Sequence, residues 1–343
     1  MRAVVLEQHG GPEVLTVRDI PEPVPPPGWV KVRVRACALN HLDLWARRGL
    51  PGIRYPLPLI LGNDVAGSVA EPGPGVEGIE RGAEVVLAPG LSCGRCEACG
   101  LGDDNYCRQY RVLGNGLNGG YAEYVVVPAA NLLPKPKNLS WAEAASVPLV
   151  FLTAWEMLVH KARVRLGEDV LVLAAGSGVG IAGLQVAKLF GARVLAAAST
   201  DEKLAKAKAL GADEAINYST ADFATEARRL TDKKGVEIVF EHTGQDTWAK
   251  SILAAARGGR IVTCGATSGF EAVTDLRHVF SRQIRILGSY MGRRAHLFEV
   301  LRWMERGRLK PVVDRVLPLA QAAEAHRVLE AREAFGKVVL EVS

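Results

Sequence analysis

The sequence has no apolar segment long enough to cross a lipid bilayer. Its longest apolar runs, such as Ala142–Leu152, are short and interrupted, whereas a transmembrane helix needs about 20 residues. The first residues also lack the apolar core of a secretion signal, because Glu7 and His9 follow almost at once. These absences argue against a membrane-spanning protein, and we expect a cytoplasmic protein that does not act at a membrane.

The sequence also lacks a basic stretch interleaved with aromatic residues. The formal net charge is +5, but Lys and Arg are scattered, and aromatic residues make up only 6% of the chain. Proteins that bind nucleic acids concentrate their positive charge on one surface, so we expect no nucleic-acid partner. The mild positive charge suits either an ordinary solvated surface or a cleft for a phosphorylated ligand.

Cysteine is scarce, with six residues, yet four of them lie between positions 93 and 107. Because disulfides are rare in the cytosol, this density favours metal binding. The two-residue gaps let successive sulfurs converge on one ion, and Zn²⁺ prefers a tetrahedral set of thiolates. An iron–sulfur cluster and unpaired thiols are the alternatives. Four thiolates leave no position open for a substrate, so we predict one structural zinc ion per chain, bound by Cys93, Cys96, Cys99 and Cys107.

The 343 residues suffice for two domains. In the first third, short apolar or alternating runs are separated by glycine and proline clusters, which predicts a compact antiparallel barrel or sandwich. The predicted strands cover residues 2–6, 13–18, 30–36, 64–70 and 84–87.

From about Val150 onward, predicted strands alternate with helices, which predicts a doubly wound parallel sheet covered on both faces. The predicted strands are Asp169–Ala174, Ala192–Ala197, 214–216, 236–240, 260–264 and 283–288. The predicted helices are Ile181–Phe190, Asp201–Leu210, 220–230 and 246–256. The tail is expected to return to the first domain. It contains an amphipathic helix after 289, a helical stretch at 320–331 and a strand Lys337–Val342.

A glycine-rich turn joins the first of these strands to its helix. Small residues let the backbone approach a pyrophosphate, whose charge is favoured at a helix N-terminus. The turn departs from a strict GxGxxG pattern, and alone it is equally typical of an ordinary tight turn. Between a strand and a helix of this sheet it predicts a dinucleotide site, formed by Gly176, Ser177, Gly178, Val179 and Gly180.

The second strand ends in Ser199 and Thr200, with no acidic residue to bind a ribose 2′-hydroxyl. Lys203 follows in the next turn, and hydroxyls beside a cation suit a 2′-phosphate. A helix N-cap followed by an exposed lysine is the alternative interpretation. We expect NADPH to be preferred over NADH.

Taken together, the motifs resemble the medium-chain dehydrogenase/reductase superfamily, which includes the zinc alcohol dehydrogenases and the quinone oxidoreductases. The resemblance covers nearly the whole chain and rests on Gly10–Leu15, prolines 25–27, Cys37–Asp43, Gly62–Asp64, the four cysteines, Thr153–Trp155, the glycine turn and Gly288–Ser289. It implies an α/β protein with a GroES-like β-barrel catalytic domain over 1–150, with its zinc lobe at about 90–110. A Rossmann domain over 151–288 and a return to the catalytic domain over 289–343 are further implied, with the active site in the cleft between the domains.

The departures from the family pattern concern the catalytic zinc. The positions of its ligands in the zinc alcohol dehydrogenases correspond here to Asn40, Asn63, Asp64 and Leu149, which retain neither thiolate nor imidazole and form a poor zinc site. Cys37 and His41 are conceivable substitutes, but Cys37 lies in a strand-like run and is expected to pack in the core. Asn40 with Asp43, and Gly-Asn-Asp at 62–64, resemble the quinone oxidoreductase branch, whereas the four-cysteine lobe does not.

The resemblance also implies roles for individual cofactor contacts. In the quinone oxidoreductase branch a lysine and a tyrosine hold the 2′-phosphate, and Lys203 and Tyr218 match their positions. Thr153 matches a residue beside the nicotinamide. His242 either approaches the cofactor or makes local hydrogen bonds. Loop residues after late strands of the sheet are expected to contact the cofactor, namely Thr243, Gly265, Ala266, Gly288 and Ser289.

Without a catalytic zinc, the hydride acceptor must already be electron-poor. We therefore expect reduction of a quinone, an enone or another carbonyl compound, with Asn40 and Asn63 bonded to the acceptor oxygen and Asp64 holding local geometry. His41 either delivers a proton or only bonds locally. The alternatives are a zinc alcohol dehydrogenase that recruits a second ion and a cofactor-binding protein without turnover.

The apolar strand Ile284–Leu287 predicts edge pairing in a homodimer or homotetramer.

Overall fold

The computed structural model describes residues 1–343, which form two compact units. The first unit comprises Met1–Leu149 together with Arg293–Ser343, and the second comprises Val150–Gly292. The first unit thus resumes at Arg293 rather than at the expected 289. None of the helices combines the length and the apolar character that crossing a membrane requires.

The strands and helices are numbered along the chain. The strands are β1 (Arg2–Leu6), β2 (Leu15–Asp19), β3 (Trp29–Ala38), β4 (Leu59–Ile60), β5 (Asp64–Pro72), β6 (Glu84–Leu87), β7 (Gly90–Leu91), β8 (Arg111–Val112), β9 (Tyr124–Pro128), β10 (Leu132–Pro134), β11 (Asp169–Val172), β12 (Arg193–Ala198), β13 (Glu214–Asn217), β14 (Val236–Glu241), β15 (Ala255–Thr263), β16 (Arg285–Gly288), β17 (Val313–Pro318) and β18 (Lys337–Glu341). The helices are α1 (His41–Arg48), α2 (Glu97–Gly100), α3 (Trp141–Ala145), α4 (Pro148–Trp155), α5 (Gly178–Leu189), α6 (Asp201–Ala209), α7 (Phe223–Leu230), α8 (Gln245–Ala254), α9 (Leu276–Arg282), α10 (Arg294–Glu305) and α11 (Ala322–Glu330).

The first unit is built around a seven-stranded sheet in the order β10-β6-β5-β3-β18-β17, with β9 also paired to β3. Valines at alternate positions of β3 are buried (Val30, Val32 and Val34), as expected for a strand with one face in a core. Strand β3 lies between β5 and β18 and is antiparallel to both. The end of β3 therefore lies beside the beginnings of β5 and β18, and this arrangement creates the site described below.

Buried polar contacts also join the C-terminal segment to α1. Arg47, 1% exposed, bonds His326 Nδ1 through a guanidinium nitrogen at 3.3 Å, and His326 Nε2 lies 3.1 Å from the Tyr121 hydroxyl. Burial and the Arg47 charge lower the pKa of His326 to about 3. The neutral ring therefore accepts from Arg47 at Nδ1 and donates to Tyr121 from Nε2.

The second unit is a six-stranded parallel sheet in the order β13-β12-β11-β14-β15-β16. Most residues of its central strands β11, β12 and β14 are apolar and buried, as expected for parallel strands whose two faces are both covered. The strand order reverses between β11 and β14, and open sheets of this type bind ligands outside such a switch point, at the carboxyl ends of the strands. The predicted doubly wound parallel sheet is confirmed.

Several elements differ from the sequence-based expectation. Helix α5 begins at Gly178 rather than Ile181, because the Ser177 hydroxyl accepts from Gly180 N at 3.0 Å and caps it. Strand β15 begins at Ala255 rather than 260. Helix α4 was not expected, since it is apolar on all sides and shows no helical periodicity.

Candidate functional site

The four clustered cysteines converge in the structure. Their sulfur atoms all lie within 4.8 Å of one another, including 3.5 Å between Cys96 and Cys99 and 3.9 Å between Cys93 and Cys99. Backbone N–H groups of Cys93 and Gln109 each point at Cys107 Sγ at 3.4 Å. Four sulfur donors at these separations fit a tetrahedral Zn²⁺ ion with no open position.

The lobe that carries these cysteines also holds the start of the C-terminal segment. Asp104 follows α2 closely and is buried, and its carboxylate accepts from Arg294 N at 2.9 Å. Arg294 is the first residue of α10. A metal ion on the four thiolates would therefore fix the loop that anchors this helix.

A second cluster forms where β3, β5 and β18 meet. Lys337 Nζ lies 2.6 Å from Asn40 Oδ1 and 3.1 Å from Asp64 Oδ2. Asn40 Nδ2 donates to the same Asp64 oxygen at 2.9 Å. The three residues are almost completely buried, with exposures of 7% for Asn40, 0% for Asp64 and 4% for Lys337. We call these three residues the Asn–Asp–Lys cluster.

Asp43 supports this cluster from the first turn of α1. Its Oδ2 accepts from Asn40 N at 2.8 Å, as in a capping box, and its Oδ1 accepts from Gly62 N at 2.9 Å. Burial raises the pKa of Asp43 to about 7, against the opposing effect of the two backbone N–H groups. Asp43 thus joins α1 to the loop before Asp64. His41, beside it, is half-buried.

The residues at the catalytic-zinc positions do not fit that metal. Asp64 Oδ1 accepts from Leu149 N at 2.7 Å, so both Asp64 oxygens are already bonded, and the Leu149 side chain offers no ligand atom. The Asn40 oxygen is occupied by Lys337. A cation here would also meet the buried Lys337 ammonium, which repels it.

Asn63 is fully buried, and its Nδ2 donates to Leu113 O. Its Oδ1 has no hydrogen-bond partner in the protein. The unpaired atom of Asn63 is therefore an acceptor, which suits a donor such as a hydroxyl better than a carbonyl oxygen. Cys37, the other conceivable ligand, is fully buried in β3, and burial raises the pKa of its thiol well above the usual value.

Lys337 was missed at the sequence level, where it was simply the first residue of the last predicted strand. A weak signal was present, because Lys337 opens an otherwise apolar run, Val338–Leu340, that was expected to return to the first domain. A lysine is almost never fully buried unless it is paired. The partner, however, cannot be identified without the strand order.

In the second unit, the glycine turn lies between β11 and α5. A Cβ on Gly180 would come within 2.3 Å of Ala174 O, so only glycine fits there. Ala174 itself has a left-handed φ of 44°. The turn leaves the backbone N–H groups of Gly178 and Val179 at the start of a twelve-residue helix, an arrangement that binds phosphate groups.

The end of β12 carries the residues expected near the adenosine ribose. Ala198 of β12 is paired with Asn217 of β13, so Ser199 and Tyr218 follow side by side. Thr200 caps α6, because its hydroxyl accepts from Lys203 N at 3.3 Å. Tyr218 is 38% exposed.

The loop after β14 is built around a buried carboxylate. Glu241 is fully buried, and its Oε1 accepts from Thr243 N at 2.6 Å and Gly244 N at 3.0 Å. His242 Nε2 bonds Leu173 O at 2.9 Å, which ties the ends of β14 and β11 together at the switch point. Of the two interpretations of His242, the structure thus shows the local hydrogen bond.

The remaining expected cofactor contacts are also in the second unit. Thr153 is buried in α4. Gly265 and Ala266 follow β15, and Ser289 follows β16, so these residues lie at the carboxyl ends of parallel strands. Ser289 N donates to Thr263 O at 2.8 Å, while its buried hydroxyl has no partner in the protein.

Comparisons with known proteins agree with this architecture. The alcohol dehydrogenase GroES-like domain model matches residues 26–137, and the zinc-binding dehydrogenase model matches residues 178–306. A NAD-dependent alcohol dehydrogenase of Sulfolobus acidocaldarius is 31% identical, with both chains fully covered. Human quinone oxidoreductase is 28% identical over 99% of this chain and 97% of that protein. A crystal structure of a NAD-dependent alcohol dehydrogenase, 57% identical, covers 100% of both chains with a TM-score of 0.97.

The chain therefore belongs to the medium-chain dehydrogenase/reductase superfamily, within the family of zinc-type alcohol dehydrogenases and quinone oxidoreductases. It is an oxidoreductase with a GroES-like domain and a Rossmann-like parallel sheet. The expected fold class is confirmed, as is the resemblance on which it was based.

Proposed function

We propose that the protein transfers hydride between a nicotinamide cofactor and a quinone, an enone or another activated carbonyl compound, without a catalytic metal ion. The observation that carries the proposal is the Asn–Asp–Lys cluster. The Lys337 ammonium bonds the oxygen atoms of Asn40 and Asp64 that would otherwise be available to a metal ion. Such an acceptor is reduced without a Lewis acid, because its own conjugation spreads the developing charge.

The second unit suits the cofactor, because Gly180 lets the start of α5 pack closely against Ala174 and the first N–H groups of α5 are available to a phosphate group. When bound, a nicotinamide supplies or accepts the hydride. Asn40 then donates its remaining Nδ2 hydrogen to the acceptor oxygen, where negative charge develops. We assign this donor role to Asn40 and not to Asn63, whose unpaired atom is an acceptor.

The metal content tests the proposal directly. We expect about one zinc ion per chain, held by the four thiolates, because only that donor set fits the ion. Plasma mass spectrometry of the dialysed enzyme, combined with assays on quinones, enones, aldehydes and alcohols, gives the measurement. Two zinc ions per chain, with alcohol oxidation lost when the second is removed, would show instead a zinc-dependent alcohol dehydrogenase.

We further propose that NADPH is preferred over NADH. No carboxylate ends β12, and Lys203 and Tyr218 flank that end on neighbouring elements. Replacing Lys203 by Ala should weaken NADPH binding by about tenfold or more, the loss of one charged contact to phosphate, and leave NADH binding nearly unchanged. Fluorescence titration with both cofactors is the measurement, with Lys208→Ala, in the last turn of the same helix, as the control. Tighter binding of NADH by the wild type would contradict the preference.

For the oligomeric state we propose a homodimer or homotetramer paired through β16. This strand is at the edge of the six-stranded sheet, and Ile286 is 40% exposed on it. Leu276 and Phe280 of the preceding helix α9 are exposed as well. An open strand edge beside exposed apolar side chains favours pairing with a second copy. Light scattering at micromolar concentration tests this, and a monomeric mass would contradict it.

A further inference from the structure

We infer that Lys337 is a positioning residue for the proposed reaction, acting on the substrate oxygen through the amide of Asn40. The inference rests on the proposed function, since it assigns Asn40 as the donor. Lys337 comes from the last strand of the chain and is separated from Asn40 by 297 positions. Lys337 is not among the site residues that the family resemblance implies.

The first step of the argument is orientation. A side-chain amide presents a donor at one end and an acceptor at the other, and its two orientations are nearly equivalent in shape. Lys337 can only donate, and it lies 2.6 Å from the Asn40 oxygen. Asp64 Oδ2 lies 2.9 Å from the Asn40 nitrogen and accepts from it. The ammonium and the carboxylate thus fix the amide with its nitrogen on the side of Asp64.

The second step concerns the remaining hydrogen. Asn40 Nδ2 carries two hydrogens, and Asp64 accepts one of them. Asn40 is the most exposed member of the cluster, at 7%. The second hydrogen therefore serves as the donor to a substrate oxygen, and Lys337 itself does not have to touch the substrate.

The third step is electrostatic. A positive charge against the amide oxygen polarises the group and makes its N–H a stronger donor, the more so because the cluster is buried. The same charge offsets the Asp64 carboxylate, 3.1 Å away, which would otherwise oppose negative charge on a nearby substrate oxygen. Lys337 therefore stabilises the transition state through Asn40 without taking part in proton or hydride transfer.

The test is a double-mutant cycle on the best acceptor found in the substrate panel. Lys337→Met should lower kcat by about 10²-fold, the usual effect of disabling one oxyanion donor, and leave the dissociation constant of the cofactor within about twofold. Asn40→Ala should lower kcat similarly. If Lys337 acts through Asn40, the double variant should be no slower than Asn40→Ala alone. The control is Lys135→Met, which removes another largely buried lysine, with a side chain 7% exposed and bonded to Glu84.

The Lys337→Met variant leaves the Asp64 carboxylate without its cation and can fail to fold. A second variant therefore combines Lys337→Met with Asp64→Asn. This double variant removes both buried charges. It should fold, yet its kcat should remain about tenfold or more below that of the wild type, because the ammonium is missing. Full activity in either Lys337 variant, or multiplicative effects of Lys337→Met and Asn40→Ala, would overturn the inference. Failure of the proposed function can be distinguished from failure of this inference. It would appear as a second, essential zinc ion, and the double-mutant cycle could then still be measured with an alcohol as the substrate.

Discussion

Replacing Cys99 by Ser is expected to reduce the zinc content from about one ion per chain to nearly none and to unfold the lobe around residues 93–107. Cys99 lies in α2, and its sulfur is within 3.9 Å of those of Cys93 and Cys96. Structural zinc contributes on the order of 10 kcal/mol to the folding of isolated zinc-finger peptides. A lobe this short, without a large core of its own, depends on such a contribution.

The measurement is hydrogen exchange, which resolves the lobe from the rest of the chain. Amides at 93–107 should lose their protection, and so should the first turn of α10, because Asp104 holds Arg294 N. The Cys264→Ser variant is the matched control, since Cys264 follows β15 and lies outside the cluster. Unchanged zinc content in Cys99→Ser would show that the four thiolates do not hold the ion.

The second large effect concerns the buried ion pair. Replacing Asp64 by Asn should destabilise the first unit by about 3–5 kcal/mol, because the buried Lys337 ammonium loses the carboxylate that it contacts at 3.1 Å. Both partners are inaccessible to water, with side-chain exposures of 0% for Asp64 and 5% for Lys337. Adding Lys337→Met should recover most of this loss, since a site without either charge carries no unpaired ion.

Native-state hydrogen exchange of the β3 and β5 amides gives the free energy of opening for each variant. The control is Glu7→Gln, which breaks an exposed pair of the same unit, between Arg18 and Glu7, whose side chains are 50% and 56% exposed. Exposed pairs contribute about 1 kcal/mol or less. If Asp64→Asn costs no more than this control, or if the second substitution fails to restore stability, the pair does not carry the expected energy.

The parts of the site that could be predicted from the sequence are those formed by neighbouring residues. The four cysteines span residues 93–107, and their spacing alone predicts that the sulfurs converge. The turn Ala174–Gly180 is likewise local, and the strand before it and the helix after it are recognisable from their periodicity. For these features, chain geometry leaves few alternatives.

The Asn–Asp–Lys cluster could not be predicted in this way. Asp64 and Lys337 are 273 positions apart and meet only because β3 pairs with both β5 and β18. Periodicity predicts that each run is a strand but not which strands are neighbours. Helix α1, which begins at His41 and positions Asp43, was also missed.

Strand β18 completes the sheet of the first unit, yet it is synthesised after the whole of Val150–Gly292. During synthesis on the ribosome, Asp64 therefore cannot form its ion pair until Lys337 has emerged. The second unit, which is continuous in sequence, has all its strands available earlier. Domains generally fold from the N-terminus onward as they leave the ribosome, but this chain reverses that order, and the domain that begins the chain is the last to be completed.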